Sequence, residues 1–265
     1  MTRREMIAAA LAPRARGLSL GVIDGVMRLR SKIESVATAR RLGFDCLQVT
    51  LGKGNAPFRE DKDLARKFAA ESRKTALPLV AAYIDTLHQF CLKRDKEAVE
   101  FAAEGIRLTR EMEAGILMLV FFGGCALESE AERDAVAPPL KELSREAERA
   151  GVTLGFENTL KAAAALRVLD RVGSRALKVY YDIGNATNLY GEEPSRAIRE
   201  IGRERICQFH FKDKGYLGEG KVDVRAALDA IAEIGWSGAI VLETGSPSGN
   251  VEADLARNLA YLRSL

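Results

Sequence analysis

The strongest constraint in this chain is an alternation. Short apolar runs rich in Val, Ile, Leu and Phe recur along its length, each followed by a longer amphipathic stretch that carries charge. The runs are Leu18–Ile23, Cys46–Leu51, Leu77–Ile84, Gly115–Phe122, Val152–Glu157, Leu177–Asp182, Ile206–Lys212 and Ala239–Glu243. The helical stretches between them are Ser31–Arg41, Asp61–Thr75, Lys96–Glu113, Glu128–Ala150, Lys161–Val172, Glu193–Ile201, Val224–Ile234 and Val251–Leu262. Gly43, Gly151 and Gly235 end a helix just before a strand, where a left-handed terminator is expected. Eight strand–helix units imply parallel, right-handed βαβ connections. Eight such units close into a (β/α)8 TIM barrel of the α/β class, and 265 residues suit the roughly 250 that one barrel needs. The first run is followed by no GxGxxG, which argues against an open doubly wound sheet.

No Pro/Gly/Ser-rich linker breaks the pattern, so residues 17–265 read as a single domain. Residues 1–16 read as an N-terminal extension. Thr2-Arg3-Arg4, followed by the apolar stretch from Met6 to Ala12, resembles a shortened twin-arginine export signal. The expected location is cytoplasmic, with export through that signal as the alternative. The net charge is +3, from 40 basic and 37 acidic residues interspersed along the chain, which gives no footprint for nucleic acid. No run approaches the ~18 apolar residues of a membrane span. Cys46, Cys91, Cys125 and Cys207 contain no CxxC pair and are expected as buried thiols of a reduced protein.

The chemistry concentrates at the C-terminal ends of the last four runs. They carry Glu157, Asp182, His210 and Glu243, spaced 25, 28 and 33 residues apart, about one βα unit each. Side chains in a strand alternate faces with a period of two. Glu157 is in phase with Thr153 and Gly155, Asp182 with Lys178 and Tyr180, His210 with Gln208, and Glu243 with Ala239 and Val241. The opposite phase is largely apolar and must pack on the helices. All four groups therefore point into the barrel mouth, where barrel active sites are built. Each alone reads as a solvated or satisfied side chain. Together, three carboxylates so close would repel unless a cation neutralised them. Three oxygen donors and one imidazole suit one divalent ion, with Mn²⁺ first and Mg²⁺, Co²⁺ or Zn²⁺ also admitted.

At these residues the sequence resembles the xylose-isomerase-like barrel superfamily of sugar and sugar-phosphate isomerases and epimerases. His210-Phe-Lys-Asp213, followed by Leu217-Gly-Glu-Gly220 and Asp223, resembles an HxKD…LGxGxxD stretch; Asp182-Ile-Gly-Asn185 resembles a DxGN turn; and Phe121-Phe122-Gly123-Gly124 resembles an FFG after the fourth strand. The resemblance implies that Glu157, Asp182, His210 and Glu243 bind one metal, and that Glu157 and Glu243 are the catalytic acid and base. It further implies an isomerase or epimerase acting on a small sugar, sugar phosphate or related polyol ketone by proton transfer through a metal-bound enediolate. A dehydratase on the same scaffold is the alternative. Ketose 3-epimerases of the group often carry a histidine where this chain has Asn185 and an arginine where it has Tyr216. The motifs stand closer to inosose dehydratases, hydroxypyruvate isomerases and sugar-phosphate epimerases. Endonuclease-IV-like relatives need more histidines than the two present.

Five further residues are substrate-binding candidates. Lys212 shares the phase of His210 and either holds substrate or pairs with a carboxylate. His88 follows the third run, and Asn158 and Asn185 flank ligands and bind substrate or make turn bonds. Phe122 walls the pocket. Gly218 to Gly220 is expected as a flexible rim, and Trp236 at the barrel's base. The implied partner is a small-molecule carbohydrate, with no nucleic acid and no membrane, and a homo-oligomer is admitted.

Overall fold

The computed structural model describes residues 17–265. Its strands are β1 (Ser19–Ile23), β2 (Cys46–Thr50), β3 (Leu79–Tyr83), β4 (Ile116–Phe121), β5 (Thr153–Asn158), β6 (Leu177–Asp182), β7 (Ile206–Phe211) and β8 (Ala239–Leu242). They close in sequence order into one barrel, every neighbouring pair parallel. The helices are α1 (Glu34–Leu42), α2 (Ala56–Glu60), α3 (Leu64–Thr75), α4 (Lys96–Glu111), α5 (Glu130–Ala150), α6 (Ala162–Val172), α7 (Ile183–Asn188), α8 (Pro194–Ile201), α9 (Val224–Glu233) and α10 (Val251–Ser264). The predicted strands and long helices are all present, with ends shifted by a few residues. The short α2 and α7 are additions lying within loops at the strands' C-terminal end. The twin-arginine-like segment lies outside the described residues.

Local chemistry explains the boundaries. Gly43, Gly151 and Gly235 have φ of 90°, 68° and 65°, the left-handed terminators expected before β2, β5 and the turn into β8. A capping box starts α5, in which the Ser129 and Glu132 side chains satisfy each other's backbone N–H groups. Asp223 and Asn250 cap α9 and α10 by accepting from Ala226 N and Ala253 N. The strand residues in the phase opposite the candidate ligands, Phe156, Phe209, Phe211 and Leu242, are fully buried. Each is worth about 1.5–3 kcal/mol in apolar burial. Trp236 packs edge-on against Phe209 and donates from Nε1 to the carbonyl of Ile206, at the N-terminal end of β7. It sits at the base, as its position after Gly235 implied.

Two expectations are corrected. Cys91 and Cys125 form a disulfide, while Cys46 and Cys207 are free thiols. The cysteines are 34 residues apart, but parallel neighbours β3 and β4 bring their outgoing loops side by side. The Gly218–Gly220 segment is anchored at its flanks rather than free: the Asp213 carboxylate accepts from the backbone N–H groups of Lys214 before it and of Lys221 and Val222 after it.

Asp24, just past β1, is fully buried and went unread in the sequence. Its carboxylate accepts from Ser31 N, Thr50 N and Thr50 Oγ1, so it ties the loop after β1 to the end of β2. Burial outweighs these hydrogen bonds and pushes its pKa up to about 6. A carboxyl raised in the folded state contributes most below its unfolded pKa, near 4, and the contribution fades as pH rises through the folded value. Relative to an Asp24→Asn variant, the parent should lose about 2.4 kcal/mol of unfolding free energy between pH 4 and pH 7. Paired denaturant titrations read this directly, and a difference flat with pH would contradict the assignment.

Candidate metal centre

Strands β5 to β8 are consecutive around the barrel, and their ends deliver the four candidate ligands to one place. Asp182 and His210 are direct register partners. Glu243 follows β8 and is placed by its N–H, which donates to the carbonyl of Phe211. His210 Nδ1 lies 3.3 Å from Glu157 Oε1, 3.4 Å from Glu243 Oε2 and 3.9 Å from Asp182 Oδ2. One donor atom from each of the four lies within 4.8 Å of every other. Glu157, Asp182 and His210 are buried, while Glu243 keeps 29% of its side chain accessible toward the mouth.

The Asp182-Ile-Gly-Asn185 turn explains how Asp182 presents itself. Its Oδ1 accepts from Asn185 N at 2.8 Å and caps α7. That leaves Oδ2, which is buried and makes no hydrogen bond of good geometry, facing the cluster. Its close neighbour is the Lys212 ammonium at 2.8 Å. Gly184 permits the packing: a Cβ there would run into the backbone and side chain of Lys212.

The electrostatics follow from crowding. Burial raises the Asp182 carboxyl, and Glu157 and Glu243 raise it further against the pull of Lys212 and His210. Burial also opposes ionisation of Glu243, but His210 and Lys212 outweigh it and hold that carboxyl below the usual range. Burial disfavours the Lys212 charge, yet Asp182, Glu243 and Glu157 keep it firmly an ammonium. His210 is likewise raised, its burial outweighed by Glu243, Glu157 and Asp182. An excess of negative charge thus faces one small space. Three carboxylates, an imidazole nitrogen and an under-bonded buried oxygen form a donor set that fits a divalent cation.

The other candidates separate. Lys212 Nζ bridges Asp182 and Glu243, 2.6 Å from Glu243 Oε2, which is the carboxylate-pairing arrangement. Asn185 Nδ2 reaches Glu157 Oε1 at 3.5 Å. Asn158 turns away into its own bend, bonding the carbonyl of Phe156 and the N–H of Leu160. His88 Nε2 meets Tyr83 OH at 2.7 Å, and its ring lies 5.8 Å from that of Phe122. Phe121 packs in the core against Phe156, leaving Phe122 as the half-buried aromatic of the rim. The disulfide joins the two loops that carry His88 and Phe122.

Beneath the cluster lies a polar layer that sequence reading passed over. Gln48, Tyr180 and Gln208 are buried and hydrogen-bonded in a chain through the Tyr180 hydroxyl, with Gln48 Oε1 3.0 Å from His210 Nε2. The signal was available: Gln48 and Gln208 each sit mid-strand between apolar neighbours, Leu47 and Val49 in one case and Cys207 and Phe209 in the other.

Comparison with known proteins gives a consistent answer. An L-ribulose 3-epimerase of Mesorhizobium japonicum is 30% identical over 63% of this chain and 60% of its own length. A D-psicose 3-epimerase of Enterocloster bolteae is 26% identical over 76% of this chain and 73% of that protein. The solved structure of an L-ribulose 3-epimerase superposes with a TM-score of 0.80 at 21% identity, covering 92% of this chain and 93% of that one, which establishes likeness of fold. The relatives include ketose 3-epimerases although Asn185 and Tyr216 depart from the residues expected of that group, and a 2-epi-5-epi-valiolone 7-phosphate 2-epimerase of Actinoplanes is also similar, 24% identical over 74% of this chain and 76% of that protein. Residues 36–265 match the sequence model of the xylose isomerase-like TIM barrel, and the chain belongs to that family.

Proposed function

We propose that this protein is a divalent-metal-dependent epimerase or isomerase of a small ketose or related polyol ketone, with Glu157 and Glu243 as acid and base. The observation that carries the reading is the meeting of Glu157, Asp182, His210 and Glu243 at the barrel mouth, each offering a donor atom within 4.8 Å of the others. The epimerase relatives support proton transfer over the loss of water that a dehydratase would require.

Glu157, Asp182, His210 and Glu243 would hold the ion, which when bound supplies positive charge against the developing oxyanion of the substrate. The protein supplies the proton transfers. Glu157 and Glu243 flank His210 from strands on either side of it, so two carboxylates border the same space. One removes the proton from a carbon beside the substrate carbonyl, and the other returns a proton. Return to the opposite face of the same carbon epimerises; return to the neighbouring carbon isomerises. His210 and Lys212 hold Glu243 ionised, the form in which a carboxylate can accept a proton. The Tyr83–His88 pair and Phe122 wall the mouth, a setting for substrate hydroxyls beside an apolar face.

The Cys91–Cys125 bridge favours an oxidising compartment, and with it the export alternative, because cytosolic thiols are kept reduced. Among the described residues no helix is long and apolar enough to cross a membrane.

Incubation with L-ribulose or D-psicose in ²H₂O should place deuterium on the carbon beside the carbonyl, seen by NMR together with the epimer. Glu157→Gln and Glu243→Gln should each lower kcat by roughly 10²–10⁴-fold while the fold persists. Undiminished turnover in either variant would remove the acid–base assignment.

Metal binding has its own readout. Adding Mn²⁺ to chelator-treated protein at a hundredfold excess over Kd should stabilise it by about 2.7 kcal/mol. For a chain of this size that raises Tm by roughly 5–10 °C. A melting curve indifferent to Mn²⁺, Mg²⁺, Co²⁺ and Zn²⁺ would count against the centre.

The disulfide closes a loop of sequence separation 34. Its removal in the Cys91→Ser/Cys125→Ser double variant should cost about 3–4 kcal/mol of stability. Because it joins the loops bearing His88 and Phe122, KM should rise more than kcat falls. A kcat effect at unchanged KM would disconnect these loops from substrate binding.

A further inference from the structure

The buried layer under the cluster has a direction that can be followed proton by proton. Gln208 Nε2 donates to Tyr180 OH at 2.8 Å, so the hydroxyl oxygen is the acceptor in that bond. The Tyr180 hydroxyl then donates onward to Gln48 Oε1 at 2.6 Å. Gln48 Nε2 donates in the other direction, toward Met118 Sδ at 3.5 Å. Both contacts orient the Gln48 amide the same way, with its oxygen toward His210. That oxygen lies 3.0 Å from His210 Nε2 and can only accept, so the proton of this contact belongs to the histidine.

We infer that Gln48 is a positioning residue for the metal centre: it holds the proton of His210 on Nε2 and thereby turns Nδ1, as a lone-pair donor, toward Glu157, Asp182 and Glu243. With a cation among the carboxylates the ring is neutral and has one N–H and one lone pair, and the hydrogen bond at one nitrogen decides which is which. Gln48 and His210 are both fully buried, so no water competes for the Nε2 proton. Tyr180 restrains the pair twice, through its hydroxyl on Gln48 and through its ring, edge-on to the imidazole at 4.6 Å between centroids. Gln208 completes the relay by occupying the tyrosine oxygen. The residues come from β2, β6 and β7, so closure of the barrel is what lets a side chain of the second strand orient a ligand on the seventh. The use of Nδ1 as a donor rests on the proposed function; the placement of the ring proton does not.

The test separates the two. The chain contains two histidines, so ¹⁵N-histidine labelling gives a ring spectrum that His88→Asn assigns at once. In the parent protein, both chelator-treated and Mg²⁺- or Zn²⁺-loaded, His210 should show a protonated Nε2 protected from solvent exchange. Gln48→Leu should move or abolish that signal. Gln48→Glu, which keeps an acceptor oxygen, should retain it. By calorimetric titration with Mn²⁺, Gln48→Leu should bind about 10–100-fold more weakly than the parent, with Gln48→Glu recovering most of the loss. Circular dichroism and the melting curve of the metal-free proteins identify any variant that fails to fold, and Tyr180→Phe, which removes the second bond to Gln48, serves as the milder substitute. An unprotonated Nε2 in the parent, or a Gln48→Leu protein with unchanged ring signals and unchanged Mn²⁺ affinity, would overturn the inference. If the parent bound no divalent ion while its Nε2–H still depended on Gln48, the ring placement would stand and the metal reading would fall.

Discussion

Three carboxylates and an imidazole share one poorly hydrated space, and most of what surrounds them makes that concentration of charge tolerable. Like charges a few ångströms apart in a low-dielectric interior repel strongly and resist ionisation. Part of the excess is met by the protein itself. Lys212 lies between Asp182 and Glu243, and one oxygen of Asp182 is spent on the first turn of α7. What remains faces inward around His210 Nδ1. A divalent cation would neutralise this arrangement while leaving the carboxylates ionised, the state in which the proposed acid and base would act.

The barrel is the means by which such a cluster is held. Parallel strands in sequence order place the ends of β5, β6, β7 and β8 next to one another, and their backbone ladders hold the register that sets Asp182 beside His210. The layer beneath then limits rotation. Gln48, Tyr180 and Gln208 are buried polar groups that satisfy one another, and together they leave the imidazole little choice of orientation. The rim differs in kind. There His88, Tyr83 and Phe122 form a mixed polar and aromatic wall on loops, and the Cys91–Cys125 bond ties those loops together. The floor is built by ladders and buried hydrogen bonds, and the wall by loops, the usual division between a rigid scaffold and an adaptable entrance.

Much of the centre was legible in advance because strand geometry is local. A period of two, applied to Glu157, Asp182, His210 and Glu243, puts all four on the inner face without any knowledge of the fold beyond its class. The same rule placed Lys212 inward but left its partner open, because phase says where a side chain points and not what it meets. Asn158 illustrates the limit. It flanks a ligand in sequence, yet its amide closes its own turn, a choice made by backbone conformation that phase does not encode. Asp24 and the Asp213-anchored loop were missed for a related reason: each is a carboxylate serving backbone N–H groups, and such service leaves no mark on composition or periodicity.

By itself the sequence determined the order of strands and helices, the helix stops before β2 and β5, and the inward phase of Glu157, Asp182, His210 and Glu243, since each follows from residues within a few positions of one another. Only the tertiary structure decided which distant groups became partners. Gln48 meets Tyr180 across 132 residues and His210 across 162, and Cys91 meets Cys125 across 34. Those pairings exist because the sheet closes on itself and its loops gather at one end. Closure is a property of the whole chain, so no local pattern announces it.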